Sequence, residues 1–329
     1  MPQYLTHEDG KLQISETADG SLEISAEPAD PSIFISRRTI KTSYPHELIS
    51  LIFNTKGIGW VCDEIARDED PNYVSKYLLN DLLAYFEPSK LNGSRILDFG
   101  CGSGASTAIL ARRFPDSTIV GVELNPELLA VARARSEFYG FRNVDFHLSP
   151  SGLDLPSDIG SFDYVVMSAV YEHLLPNERK VILNKVWNCV RADGALFIDQ
   201  TPNQLFPVEL HTTYLPLINY FPDGLALWYA RRFSKQINPT ESWESLLRQG
   251  IRGATVREIT RNIESRKSRP LILKPNREGI RDRIDLWFAS TDPENLRAIK
   301  SAAKYGLKAI NSLTGFCIVP DLAVAIRKV

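Results

Sequence analysis

A short apolar run, Arg95-Ile96-Leu97-Asp98-Phe99, passes directly into Gly100-Cys101-Gly102-Ser103-Gly104, and helical spacing follows over 105–114 until Pro115. Glycines at such a turn let the backbone reverse tightly and bring a helix close against the strand, the opening unit of a parallel α/β sheet. The unit then repeats. A strand pattern over 118–123 leads to a helix over 126–138 with proline in its first turn, and a third strand follows over 144–148. Residues 162–167 and 195–198 read as strands four and five, separated by a helix over about 177–190 and the turn Ala192-Asp193-Gly194. Alternation of this length predicts an α/β fold with a doubly wound, mostly parallel sheet.

The turn also constrains what it can hold. Gly100, Gly102 and Ala105 satisfy G-x-G-x-x-G/A, and Glu123 lies 21 residues beyond Gly102, a pattern that permits a nicotinamide dinucleotide. Asp98 argues against one. A carboxylate about 4 Å from a diphosphate oxygen costs roughly 4 kcal/mol at an effective dielectric near 20, and gains a comparable amount beside an ammonium. S-adenosylmethionine meets this requirement, with an ammonium, a sulfonium and a carboxylate that backbone N–H groups at a helix start can hold.

The run Leu97-Asp98-Phe99-Gly100-Cys101-Gly102-Ser103-Gly104 resembles the first motif of class I S-adenosylmethionine-dependent methyltransferases. Val120-Gly121-Val122-Glu123 is similar to that family's second-strand acid, Ser161-Phe162-Asp163-Tyr164-Val165-Val166 to its fourth strand, and Val190-Arg191-Ala192-Asp193-Gly194-Ala195-Leu196 to the turn into its fifth. The resemblance covers 93–200 and implies S-adenosylmethionine as cofactor. It places Asp98, Gly100, Gly102 and Gly104 near the methionine end and Glu123 on the ribose hydroxyls, with Leu124 and Ser168 completing the cofactor set. The acid this family often carries after strand three is replaced here by Leu148-Ser149-Pro150-Ser151-Gly152. The stretch Thr201-Pro202-Asn203, His211-Thr212-Thr213, Pro216 and Pro222 is also similar to bacterial methyltransferases associated with saccharide modification.

Around the 93–200 cofactor core the chain divides into a β-hairpin extension (1–44) turning at Asp19-Gly20, a helical cap (45–92), an aromatic and proline-rich lid or substrate segment (201–270), and a C-terminal part (271–329). In the last, a helix over about 293–313 and a strand over 322–327 complete the sheet. The lid segment is too apolar for a linker; it reads equally as a substrate wall or as a second small core.

Methyl transfer from a sulfonium is an in-line displacement, and a base helps when the acceptor is a hydroxyl. Candidates belong at the ends of strands four and five, where Tyr171-Glu172-His173 and Glu209-Leu210-His211 follow. His211 or His173 is the expected base, with Glu172 beside it; for Glu172 the alternative is a cap on the next helix. Glu172, His173 and His211, joined by Glu209, also form a donor set a divalent ion accepts. Tyr171-Glu172-His173 followed by Thr201-Pro202-Asn203 resembles small-RNA 2′-O-methyltransferases, but Ala169 stands where those place a further Glu, and no metal is assigned.

The expected acceptor is a small molecule, glycan or lipid-linked intermediate methylated on oxygen. The alternatives are an RNA 2′-O-methyltransferase with a divalent metal, an NAD-dependent oxidoreductase, and a non-catalytic S-adenosylmethionine-binding protein. Lys plus Arg (38) against Asp plus Glu (40) leaves no general positive field for nucleic acid. Residues 231–283 hold fourteen basic against six acidic side chains, read either as a solvated helix face or as a surface for the phosphate groups of a nucleotide, lipid or glycan acceptor or of RNA. Cys62, Cys101, Cys189 and Cys317 lie too far apart for a zinc motif or a disulfide framework. With no targeting pattern at the start and no apolar run of spanning length, the expectation is a cytoplasmic protein without a membrane span. The sequence does not specify an oligomeric state.

Overall fold

A computed structural model of the chain describes residues 2–263, 269–290 and 297–329. In chain order the strands are β1 (Gln3–His7), β2 (Gly10–Glu16), β3 (Leu22–Pro28), β4 (Thr39–Thr42), β5 (Arg95–Phe99), β6 (Thr118–Glu123), β7 (Val144–Leu148), β8 (Phe162–Ser168), β9 (Val190–Pro202), β10 (Pro270–Ile272) and β11 (Asp321–Lys328). The helices are α1 (His46–Lys56), α2 (Val61–Glu69), α3 (Val74–Leu82), α4 (Pro88–Leu91), α5 (Ala105–Arg113), α6 (Pro126–Tyr139), α7 (Pro176–Cys189), α8 (Asp223–Phe233), α9 (Trp243–Arg248), α10 (Val256–Asn262), α11 (Arg283–Ser290) and α12 (Arg297–Thr314). The residues form two compact units, 1–77 with 101–148 and 78–100 with 149–329, so the 93–200 core contributes to both.

In the first unit β1 to β4 pair in sequence order as an antiparallel sheet. The period-two burial of Leu12 and Ile14 on β2, and of Leu22, Ile24 and Ala26 on β3, turns one face toward Ile49, Ile52 and Phe53 of α1 and Val61 and Ile65 of α2. The expected hairpin is present as β2 and β3, with Gly20 at φ 82° in its turn. It is extended on both sides: Glu8-Asp9 makes a second tight turn into β1, and β4 pairs with β3. β6 and β7 run parallel in this unit, flanked by α5 and α6.

In the second unit the strand order is β10-β11-β9-β8-β5. β5, β8 and β9 are parallel, whereas β11 is antiparallel to both its neighbours. β8 returns beside β5 although β6 and β7 intervene in the chain, so the segments after β5 and β8 leave from the same end of the sheet, where doubly wound folds bind ligands. The expected Rossmann-like α/β class therefore holds. Val165, Val166, Met167, Leu196, Phe197, Ile198 and Val324 are buried in the sheet, and Ile182, Leu183, Val186 and Trp187 of α7 are buried with them.

β9 is longer than the 195–198 read from the sequence. Asp193, at φ 62°, takes the left-handed conformation that looks like a turn, yet the strand runs on to Pro202. The aromatic and proline-rich stretch builds its own small core from Ile218, Ala226, Ala230, Leu246 and Ile251 while exposing Tyr214, Leu217, Tyr220 and Trp228. The C-terminal strand joins the sheet against β9. Of the expected 293–313 helix, α12 is described from Arg297, and 293–296 lie outside the described residues. Among the described residues no helix is long and apolar enough to cross a membrane.

Candidate active site

The three glycines of the turn all take positive φ: Gly100 73°, Gly102 54° and Gly104 83°. Their demands differ. A Cβ on Gly100 would lie 2.7 and 2.9 Å from the Val170 methyls, and one on Gly104 would lie 2.8 Å from the Ala132 Cβ, so both serve packing. A Cβ on Gly102 would meet nothing within 4 Å. That glycine leaves open backbone for a ligand to approach.

Glu123 closes β6 and turns its carboxylate back on the chain. It accepts the N–H of Gly102 at 2.9 Å, of Leu124 at 2.8 Å and of Asn125 at 2.9 Å. Asn125 in turn caps α6 through the N–H of Glu127, and Leu124 is half exposed. The first unit thus carries Gly102, Gly104, Glu123 and Leu124 of the expected cofactor set. The second carries Asp98, buried on β5, with Gly100 and Ser168 at the strand ends; the Gln200 amide reaches the Ser168 hydroxyl at 3.5 Å.

A buried ionic network behind the turn was missed. Arg135 of α6 is fully buried and donates to the Tyr44 hydroxyl at 2.8 Å, the Ser103 carbonyl at 2.6 Å and the Glu64 carbonyl at 3.2 Å. Its guanidinium also pairs with the Glu64 and Asp68 carboxylates at 3.3 and 3.6 Å. The Ser103 hydroxyl donates to Glu64, and Lys56 pairs with it at 3.3 Å. Burial works to raise the Glu64 carboxyl, but Arg135 and Lys56 outweigh it and hold the group below the usual carboxylate range. The signal was in the sequence: Arg135 lies four residues after Val131 and three after Ala132, on the apolar stripe of its helix.

The Glu172-His173 pair sits in a single 3-10 turn, Tyr171–His173, after β8. Glu172 is fully buried. One oxygen, Oε2, accepts the Thr201 hydroxyl at 2.8 Å; the other, Oε1, has no hydrogen-bond partner. Burial pushes this carboxyl up to about 7. His173 Nδ1 lies 2.7 Å from the Arg248 carbonyl. A carbonyl only accepts, so Nδ1 carries the proton and Nε2 keeps a lone pair, 3.7 Å from Glu172 Oε1. The His211 ring is centred 5.8 Å from that of His173. Burial lowers the pKa of both imidazoles.

Glu209 does not join them. Its carboxylate accepts the N–H groups of His211 at 2.7 Å, Thr212 at 2.8 Å and Thr213, and the Thr213 hydroxyl at 2.7 Å, which fixes the loop that presents His211. Gly250, at φ 93°, leaves space beside the pair: a Cβ there would stand 2.9 Å from His211 Cδ2 and 3.0 Å from Glu172 Cγ. One ligand atom each from Glu172, His173 and His211 lies within 4.8 Å of the others. The helix-cap reading of Glu172 is overturned, because the Glu178 side chain accepts the Leu175 N–H at the start of α7.

A family described as a methyltransferase domain matches residues 96–194. The malonyl-[acyl-carrier protein] O-methyltransferase of Acetivibrio thermocellus is 28% identical over 170 residues, 49% of this chain and 56% of that one. The trans-aconitate 2-methyltransferase of Deinococcus radiodurans is 31% identical over 110 residues, 33% of this chain and 39% of that one. The magnesium-protoporphyrin O-methyltransferase of Rhodobacter capsulatus is 36% identical over 98 residues, 29% of this chain and 41% of that one. The matches thus span about half or less of these curated relatives. The family match covers β5, its glycine turn and the strands through β8, and marks 96–194 as a class I S-adenosylmethionine-dependent methyltransferase domain, with S-adenosylmethionine as its cofactor.

Proposed function

We propose that this protein transfers the methyl group of S-adenosylmethionine to a hydroxyl oxygen of a small-molecule, glycan or lipid-linked acceptor. The observation that carries the reading is the gathering of the buried Glu172 carboxylate with two imidazoles, His173 and His211, directly after β8. Gly100, the first glycine of the cofactor turn, packs on Val170 only two residues before Glu172, so the cluster stands beside the start of that turn.

Each unit carries residues that suit a part of the cofactor: open backbone at Gly102 and a carboxylate at the end of β6 for hydroxyls in the first, and the buried Asp98 for an ammonium in the second. When bound, S-adenosylmethionine supplies a methyl carbon already activated by its sulfonium. What remains is to align the acceptor, exclude water and relieve the attacking hydroxyl of its proton. His173 has its Nδ1–H committed to Arg248 and offers the Nε2 lone pair for that purpose. The loop ordered by Glu209 brings His211 to the same place. The exposed Tyr214, Leu217, Tyr220 and Trp228 give the 201–270 segment flat apolar surface for reading an acceptor such as a sugar ring. Two of the relatives carry O-methyltransferase in their names, in keeping with oxygen as the accepting atom. None of the four cysteines is in a disulfide, which suits a cytoplasmic setting.

The test is incubation with methyl-labelled S-adenosylmethionine and pools of free saccharides, nucleotide sugars and lipid-linked saccharides, followed by mass analysis of the labelled product. Label on an oxygen, reduced about 100-fold in His211→Ala with cofactor affinity retained, is expected. Label on nitrogen or carbon, or full activity of His211→Ala and His173→Ala, overturns the reading.

A further inference from the structure

The geometry points to Glu172, His173 and His211 as the ligands of a divalent first-row transition ion, with its remaining coordination positions left for oxygens of the acceptor. Ligand atoms held about 2.1 Å from one ion stand roughly 3 to 3.5 Å apart. Glu172 Oε1 and His173 Nε2, at 3.7 Å, are already near that spacing before any ion draws them in.

A second observation is independent of the clustering. Glu172 Oε1 is fully buried and has no hydrogen-bond partner, while its sister oxygen is held by Thr201. A buried carboxylate oxygen left bare is costly unless something positive meets it. The imidazoles are oriented as ligands are. The Nδ1–H of His173 is tied to a backbone carbonyl, which fixes the tautomer and aims Nε2 inward, and the loop of His211 is stapled by Glu209. Gly250 keeps the space beside His211 and Glu172 clear of a side chain. Two imidazoles with one carboxylate select manganese, iron, cobalt or zinc over magnesium or calcium. Three protein ligands with open positions are the usual form of a site that acts on a bound oxygen. With the ion bound the imidazole lone pairs are taken up as ligands, and the ion, by lowering the pKa of the acceptor hydroxyl, would replace them as the means of releasing its proton to solvent; that role rests on the methyl-transfer reading, whereas binding of the ion does not.

The full chain, stripped with EDTA and dialysed, is titrated with Co²⁺ and followed by visible absorption, with Zn²⁺ and Mn²⁺ in competition and S-adenosylmethionine affinity measured by calorimetry on the same samples. One equivalent of Co²⁺ per chain is expected, weakened at least about 10-fold in both His211→Ala and the isosteric Glu172→Gln, with cofactor affinity unchanged. No saturable binding of Co²⁺, Zn²⁺ or Mn²⁺ to the wild-type chain overturns the proposal, as does binding that survives both substitutions. Cobalt binding without any cofactor binding would sustain the ion site and strike the methyl-transfer reading instead.

Discussion

The hydroxyl of Ser103, in the middle of the glycine turn, donates to the carboxylate of Glu64 on α2, and both side chains are sealed from solvent. The N-terminal extension is therefore part of the cofactor turn's support within its own unit. Arg135 completes the arrangement by reaching the Ser103 carbonyl and Glu64 together, so the conformation of the turn depends on a charge set contributed by α2 and α6.

Removing the cation from this set should be severe. Arg135→Ala leaves Glu64 buried without its principal counter-charge, while Asp68 keeps Arg112, and the loss of a single partner from a buried pair typically costs about 3 to 5 kcal/mol. Urea unfolding should show a loss of that order, and calorimetry should show weakened binding of S-adenosylmethionine. A change below about 1 kcal/mol would mean that the network is not supporting the turn.

Much of this organisation is readable in the sequence, for local reasons. The β5 turn and the strand and helix alternation rest on apolar runs, prolines and glycines whose effect is decided within a few residues. Asp193 and Gly194 do break the extended run, at a register irregularity opposite β8, but Val190 still pairs with Phe162 before it, and Thr201 and Pro202 pair with β11 after it, so β9 outlasts the 195–198 segment that the local pattern marks. Glu209 and His211 look equivalent in the sequence. What separates them is a loop conformation that turns three N–H groups onto Glu209 and leaves His211 for the site. The meeting of Glu172 with His211 spans 39 residues and is a product of the sheet.

Glu209 supplies a test of that loop. Glu209→Gln replaces one carboxylate oxygen by an NH₂ that faces backbone donors, leaving at least one buried N–H without an acceptor, at a cost of about 1 to 3 kcal/mol. Product formation should fall about 10-fold or more as His211 loses its position, while S-adenosylmethionine affinity measured by calorimetry stays within twofold. Unchanged turnover would show that His211 is held by other contacts.

A buried acid pair predicts a pH dependence. Asp199 on β9 is fully buried with neither carboxylate oxygen hydrogen-bonded, and burial followed by the charge of Asp81 raises its pKa well above the ordinary value. Asp81, which accepts the Ser290 hydroxyl at 2.7 Å, is raised by burial as well. Both bind protons more tightly folded than unfolded. Their contribution to stability is complete below about pH 4 and is lost as pH rises through the raised values. Asp199→Asn removes most of this dependence and should be more stable than wild type at pH 8, by about 1 to 3 kcal/mol. Urea unfolding at pH 5 and pH 8 reads both; parallel pH profiles for the two proteins would contradict the assignment.

The glycines of the turn can be separated by what each substitution loses. At Gly100 a Cβ meets the Val170 methyls at 2.7 and 2.9 Å and the backbone sits at φ 73°, so Gly100→Ala combines overpacking with left-handed strain. A stability loss of about 2 to 4 kcal/mol is expected in urea. At Gly102 the surroundings are open and φ is 54°, a conformation an alanine adopts for about 1 kcal/mol. Gly102→Ala should therefore fold nearly as well as wild type and still bind S-adenosylmethionine at least about 10-fold more weakly, because the added methyl occupies the space through which the ligand reaches the backbone. Equal cofactor affinity for Gly102→Ala and wild type would mean that this glycine serves the turn alone, and that the ligand approaches by another face.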